Sequence, residues 1–169
     1  MIQHVYGNII NTNAELLVNA ANGKGWMGGV IGRFFLLKGV AETIHYADPT
    51  IEKLAKKEVK RLKPKSGDVF HTPSGNIGFK KGILHAVTMN KPATRSTIRI
   101  VEMCIHNILR YCVQNDIKSV AIPLLGTGTG KVDSKEVLRL YESVFSTSET
   151  CFYVVHLNNN EYERAEKCL

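Results

Sequence analysis

The most restrictive feature of this sequence is an alternation. Short apolar runs ending in small or polar residues are followed, again and again, by segments with helical periodicity. Glu15–Asn19, Gly67–Thr72, Ile83–Met89, Ser119–Leu125 and Thr150–Leu157 read as strands. Between and after them, Pro49–Leu62, Ile98–Cys112, Ser134–Phe145 and Asn160–Cys168 read as helices. In the longest of these, Ile98, Val101, Ile105, Ile108 and Cys112 form one apolar face. Gly28–Leu37 has helical residues in its second half and stops at Gly39, and Pro73–Gly78 is a turn. Apolar strands alternating with helices need a sheet covered on both faces. The expected architecture is therefore α/β: a three-layer α/β/α sandwich with a mixed, mostly parallel central sheet. With 169 residues and no linker, repeat or biased tract, residues 1–169 read as a single domain.

Composition narrows the partners. The chain is 44% hydrophobic and 22% charged, which excludes disordered and fibrous classes. Its 22 basic residues against 15 acidic ones give a net charge of +7, a surplus suited to anionic partners. Nucleic acid, phosphate ligands and membrane surfaces all remain open on charge alone. No apolar run reaches the roughly 20 residues that span a bilayer, and Met1–Ile10 lacks a signal-peptide core. No membrane partner and a cytoplasmic location are expected. Cys104, Cys112, Cys151 and Cys168 form no C-x-x-C pair and read as reduced, buried thiols.

Ligands of such sheets sit where strands end and helices begin, which points to Asn19–Gly32 and Leu124–Val132. Both loops are rich in glycine, and both precede helices whose first N–H groups favour anions. Gly23-Lys-Gly-Trp-Met-Gly28 matches the dinucleotide pattern G-x-G-x-x-G literally. However, Ala20, Ala21 and Asn22 separate its first glycine from the strand, and no acidic residue closes a following strand. Gly126–Val132 is similar to a P-loop but fails at two positions. Leu125 stands where its first glycine belongs, and Val132 where its magnesium-binding hydroxyl belongs.

Read together, Tyr6-Gly-Asn-Ile9, Val18-Asn-Ala-Ala-Asn22, Met27-Gly-Gly-Val30, Ile83-Leu-His-Ala-Val87 and Ala121-Ile-Pro-Leu-Leu-Gly-Thr-Gly128 resemble the signature blocks of the macrodomain family. Their order and separation match from about Ile2 to Leu157. The resemblance implies ADP-ribose or its derivatives as ligand, ADP-ribosylated proteins as partners, and no additional cofactor. It implies a ligand set of Asn8, Ile9, Ala20, Asn22, Gly28, Gly29, Val30, Leu125, Gly126, Thr127, Gly128, Thr129, Gly130 and Asn158. The chemistry agrees, because two arcs of backbone N–H groups can clamp a pyrophosphate without bulky side chains in the way.

Individual roles carry alternatives. Asn22 either bonds the distal ribose or caps a turn. Asn19 holds the loop through backbone hydrogen bonds. Asn8 stands where the family has an aspartate that accepts from the adenine amino group, so that bond is neutral and weaker. Asn158 either flanks the base or is an ordinary turn residue.

Hydrolysis is a separate question. The family's best-known hydrolases carry an aspartate where this sequence has Ile31, which cannot activate water. A second branch removes ADP-ribose from glutamate with a lysine nucleophile and an aspartate. Lys91 and Asp133 are the corresponding candidates here, though Asp133 falls about three residues late and also suits a helix start.

One helix suggests a different class of function. Lys53, Lys56, Lys57, Lys60 and Arg61 share a face opposite Ile51, Leu54, Ala55 and Leu62, with Glu58 on the apolar side. That face is either a solvated surface or an attractor of nucleic acid or poly(ADP-ribose). The six histidines show no metal-ligand spacing, and His71, His85 and His156 read as core or edge residues of strands.

Overall fold

The computed structural model describes residues 1–29 and 39–166. Its elements in chain order are β1 (Ile2–Tyr6), β2 (Leu16–Asn22), α1 (Val40–Ala47), α2 (Thr50–Leu62), β3 (Val69–Thr72), β4 (Ile83–Met89), α3 (Ile98–Gln114), β5 (Ser119–Pro123), α4 (Ser134–Phe145), β6 (Cys151–His156) and α5 (Asn159–Glu166). Short 3-10 turns occupy Ile9–Asn11 and Gly75–Ile77. The helical reading of Gly28–Leu37 and the place of Cys168 lie outside the described residues.

The six strands form one sheet in the order β1-β6-β5-β2-β4-β3, and only the β3–β4 pair is antiparallel. Alternation along the strands divides the core in two. Leu16, Val18, Leu84, Ala86 and Ile122 face α3 and α4, whose Val101, Cys104, Ile105, Ile108, Val137 and Tyr141 pack against them. Leu17, Ile83, Val87 and Ala121 face the other way, onto Ile44 of α1 and Ile51 and Ala55 of α2. The mixed, mostly parallel three-layer sandwich is the fold the sequence pattern implies. Cys104 and Cys112 are free and buried, and burial pushes both thiols up to about 12.

The sequence reading assigns no element to Ile2–Tyr6 or Val40–Ala47, which form β1 and α1. β1 forms an edge strand, its register set by β6 rather than by its own alternating residues. α1 is short, and Ile44 is its one fully packed side chain. In α2, Leu62 is 46% exposed and Glu58 pairs with Arg61, so neither belongs to an apolar face. Glu52 occupies the buried side instead.

Candidate functional site

β2 and β5 are parallel neighbours, so the loops leaving their carboxyl ends start side by side. The loop after β5 is held from beneath by α4. Tyr141 Oη, fully buried, donates to the Pro123 carbonyl at 2.6 Å and accepts the Leu125 amide at 3.1 Å. The Val132 amide closes the loop onto the Gly126 carbonyl at 3.0 Å, and the Ser96 amide donates to the Gly130 carbonyl at 2.9 Å. A Cβ at Gly130 would lie 2.4 Å from the Gly126 carbonyl oxygen, so the loop closes this tightly only with glycine there.

What this bracing leaves over is an arc of donors. The amides of Gly126, Gly128, Thr129 and Gly130 have no partner among the described residues, and Gly128 and Thr129 are exposed. Successive unpaired N–H groups of this kind form a concavity for an anion. Leu125 and Thr127 serve the loop's shape instead. The Leu125 amide belongs to Tyr141, and the Thr127 hydroxyl donates to the Leu124 carbonyl at 2.9 Å. Tyr141→Phe, which leaves a buried carbonyl and a buried amide unpaired, is expected to cost about 2 kcal/mol in urea denaturation.

The loop after β2 is built around Asn22. Its Oδ1 accepts the Lys24 and Trp26 amides at 3.1 and 3.2 Å, and its Nδ2 donates to the Trp26 carbonyl at 2.8 Å. Asn22 thus caps this turn, and the second N–H of its Nδ2 is left over for a ligand. Gly25, at φ +65°, lets the loop lie on α2, where a Cβ would come 3.0 Å from the Ala55 backbone. Further along, the Gly29 amide donates to Glu52 Oε2 at 3.3 Å. That amide therefore meets a carboxylate of the protein itself, contrary to the expectation that it is open to a phosphate. Glu52 is 4% exposed and also contacts His45 Nδ1 at 2.7 Å and Lys56 Nζ. The Gly28 amide has no partner among the described residues; Val30 and Ile31 lie outside them.

Glu52 and His45 were not anticipated. The only signal was positional: Glu52 stands three residues before Ala55, on the side of α2 that packs.

The remaining candidates fall into place as structural or accessible. Asn8 Oδ1 accepts the Ile10 amide at 3.3 Å and caps the first 3-10 turn. Ile9 is buried in the core, so only its backbone can meet a ligand, and Ala20 is half-buried in β2. Asn158 Oδ1 accepts the Asn160 amide at 2.9 Å at the start of α5. Asn19 does not hold the loop backbone; fully buried, its Nδ2 donates to His85 Nδ1 at 3.1 Å. Asp133 caps α4, its Oδ1 accepting the Lys135 and Glu136 amides at 2.9 and 3.1 Å. Lys91 is exposed beyond the end of β4, beside Gly23 and Lys24. No group of three or more metal-ligating side chains occurs among the described residues.

A family model described as Macro domain matches residues 18–141. An Aquifex aeolicus protein of unassigned role is 31% identical over 98% of this chain and 93% of its own length. The Mycobacterium tuberculosis protein named DNA ADP-ribosyl glycohydrolase is 27% identical over 86% of this chain, which spans 39% of that protein. The solved macrodomain of Mycobacterium tuberculosis DarG superposes with a TM-score of 0.81 at 24% identity, covering 94% of this chain and 99% of that one.

Proposed function

This chain belongs to the macro domain family, and we propose that the loops at the carboxyl ends of β2 and β5 bind ADP-ribose or its derivatives between them. The observation that carries this reading is the arc of unpartnered amides at Gly126, Gly128, Thr129 and Gly130. A diphosphate offers several acceptor oxygens close together, and backbone donors reach them without side chains in the way.

The same reading extends to release of ADP-ribose from a modified macromolecule. The glycohydrolase relative supports it, and the reaction needs a nucleophile or base near the distal ribose. With Asp133 engaged as a helix cap, Lys91 is the candidate. Its neutral Nζ would bond to the anomeric carbon as the bond from that carbon to the target breaks, the electron pair leaving with the target. Water would then displace the lysine and yield free ADP-ribose. The other reading is binding without cleavage.

Calorimetry with ADP-ribose tests the first claim: saturable heat is expected, and its absence at millimolar ligand would end it. Release from an ADP-ribosylated glutamate peptide and from an ADP-ribosylated oligonucleotide tests the second. Lys91→Ala is expected to slow release roughly 100-fold or more with ligand binding retained. Undiminished release would remove Lys91 from the mechanism, and no release by the unaltered chain would leave a binding module. Asp133→Ala is expected to cost about 1 kcal/mol of stability, as loss of an N-cap does, with binding unchanged.

A further inference from the structure

The loop after β2 is tied down at two places. Asn22 holds its beginning through the Lys24 and Trp26 amides. Its far end is held from another element: Glu52, in the first turn of α2, accepts the Gly29 amide on Oε2 at 3.3 Å. The loop after β5 has the same kind of support, because Tyr141 of α4 reaches under it from the opposite face of the sheet. Each loop thus rests on one buried polar side chain supplied by a helix.

The peptide joining Gly28 and Gly29 needs such a support. Both residues have positive φ, +97° and +52°, and neither has a side chain to hinder rotation. The bond to Glu52 fixes that peptide, and the Gly28 amide beside it is left without a partner among the described residues. Glu52 is 4% exposed, and its charge is met by Lys56 Nζ and His45 Nδ1, so it presents no open anion to a nearby diphosphate. A buried ion pair is a poor device for stability alone, since apolar residues of similar volume often serve as well or better.

We propose that Glu52 is a positioning residue for ligand binding: by holding the Gly28–Gly29 peptide it keeps the Gly28 amide available to a phosphate oxygen, across from the free amides after β5. The assignment rests on the reading that the two loops take ADP-ribose between them. Glu52 does not itself touch the ligand. Its loss lowers the fraction of molecules whose loop is competent to bind, and the apparent affinity falls in the same proportion.

Two substitutions separate this role from a structural one. Glu52→Met keeps the length of the side chain, suits the packed side of α2 and offers the Gly29 amide no acceptor. Glu52→Gln keeps a carbonyl oxygen where Oε2 stands, while the exposed Lys56 turns into water. Glu52→Met is expected to melt at or above the temperature of the unaltered chain. In calorimetry its dissociation constant for ADP-ribose is expected to rise about tenfold, and that of Glu52→Gln to stay within about threefold. In the ligand-free protein, hydrogen exchange at the Gly29 amide, followed by NMR, is expected to quicken about tenfold in Glu52→Met alone. An unchanged dissociation constant in Glu52→Met, a Glu52→Gln protein as weak as Glu52→Met, or equal exchange at Gly29 in all three would overturn the assignment. A Glu52→Met protein that does not fold, or that melts lower and binds normally, would make Glu52 a residue of the fold only. No heat from the unaltered chain would instead remove the ADP-ribose reading, and this assignment with it.

Discussion

Gly128→Glu is expected to weaken ADP-ribose binding at least 100-fold, a loss of about 2.7 kcal/mol, while the protein stays folded. The separation of binding from folding rests on space. A Cβ at Gly128 would meet nothing within 4 Å, so a side chain grows outward without displacing the loop. Its carboxylate would stand among the free amides of Gly126, Thr129 and Gly130 and compete with the diphosphate for them. Neighbouring glycines give no such clean result. At Gly130 a side chain collides with the Gly126 carbonyl, and at Gly29 it needs a left-handed backbone at φ +52° beside Glu52. Calorimetry gives the affinity and a thermal melt the folding control. A dissociation constant within tenfold of the unaltered chain, with an unchanged melt, would mean that this arc does not hold the ligand.

What could be read in the sequence follows how each structure is stabilised. β4 and α4 have the bounds their patterns imply, Ile83–Met89 and Ser134–Phe145, because buried faces leave a periodic signature. β2 runs on to Asn22, past the apolar residues, because the ladder with β4 holds Ala20 and Ala21 in line whatever their own preference. β1 is stabilised by pairing with β6, at the far end of the chain, so its own residues announce little. The glycine arc after β5 was legible because tight closure leaves a glycine no substitute. The asparagines were not. A side chain that both donates and accepts takes its role from whichever backbone comes near, and for Asn8, Asn22 and Asn158 that is the adjacent turn. Glu52 was invisible for a related reason, since its partners His45 and Gly29 reach it only once α1 and the loop after β2 have packed on α2.

Lowering the pH from 7 to 4 is expected to remove about 3 kcal/mol of stability through His85 alone, with a further loss of the same sign through His156. His85 stands wholly inside the sheet. Its Nδ1 faces the Asn19 amide nitrogen, which can only donate, so the ring proton sits on Nε2 and donates to Thr72 Oγ1 at 2.8 Å. Phe70 stacks on the ring at 4.7 Å. This neutral arrangement joins β2, β3 and β4, and burial, assisted by the charge of His71, pushes the imidazole from 6.5 down to about 3. His156 is brought down to about 4 by burial and then by His4, whose Nδ1 lies 2.9 Å from His156 Nε2. In the unfolded chain both rings take a proton near 6.5, while the folded chain refuses it. The stabilisation is therefore complete above pH 6.5 and lost as pH falls from there toward 3. Asp48, held below its usual 3.8 chiefly by the Thr50 hydroxyl, acts in the same direction but only in stronger acid, so it does not blur this window. Against a typical total of about 5–15 kcal/mol, the loss at pH 4 brings the fold close to its limit. Urea denaturation at successive pH values measures the slope, and the ring signals in NMR report whether either histidine titrates in the folded state. Stability unchanged between pH 6.5 and 4.5, or a His85 ring that protonates near 6.5 without unfolding, would show that the core accepts the charge. In His156→Gln the curve should flatten by that residue's share while the part due to His85 remains, because the two rings lie in different strand pairs and share no hydrogen-bond partner among the described residues.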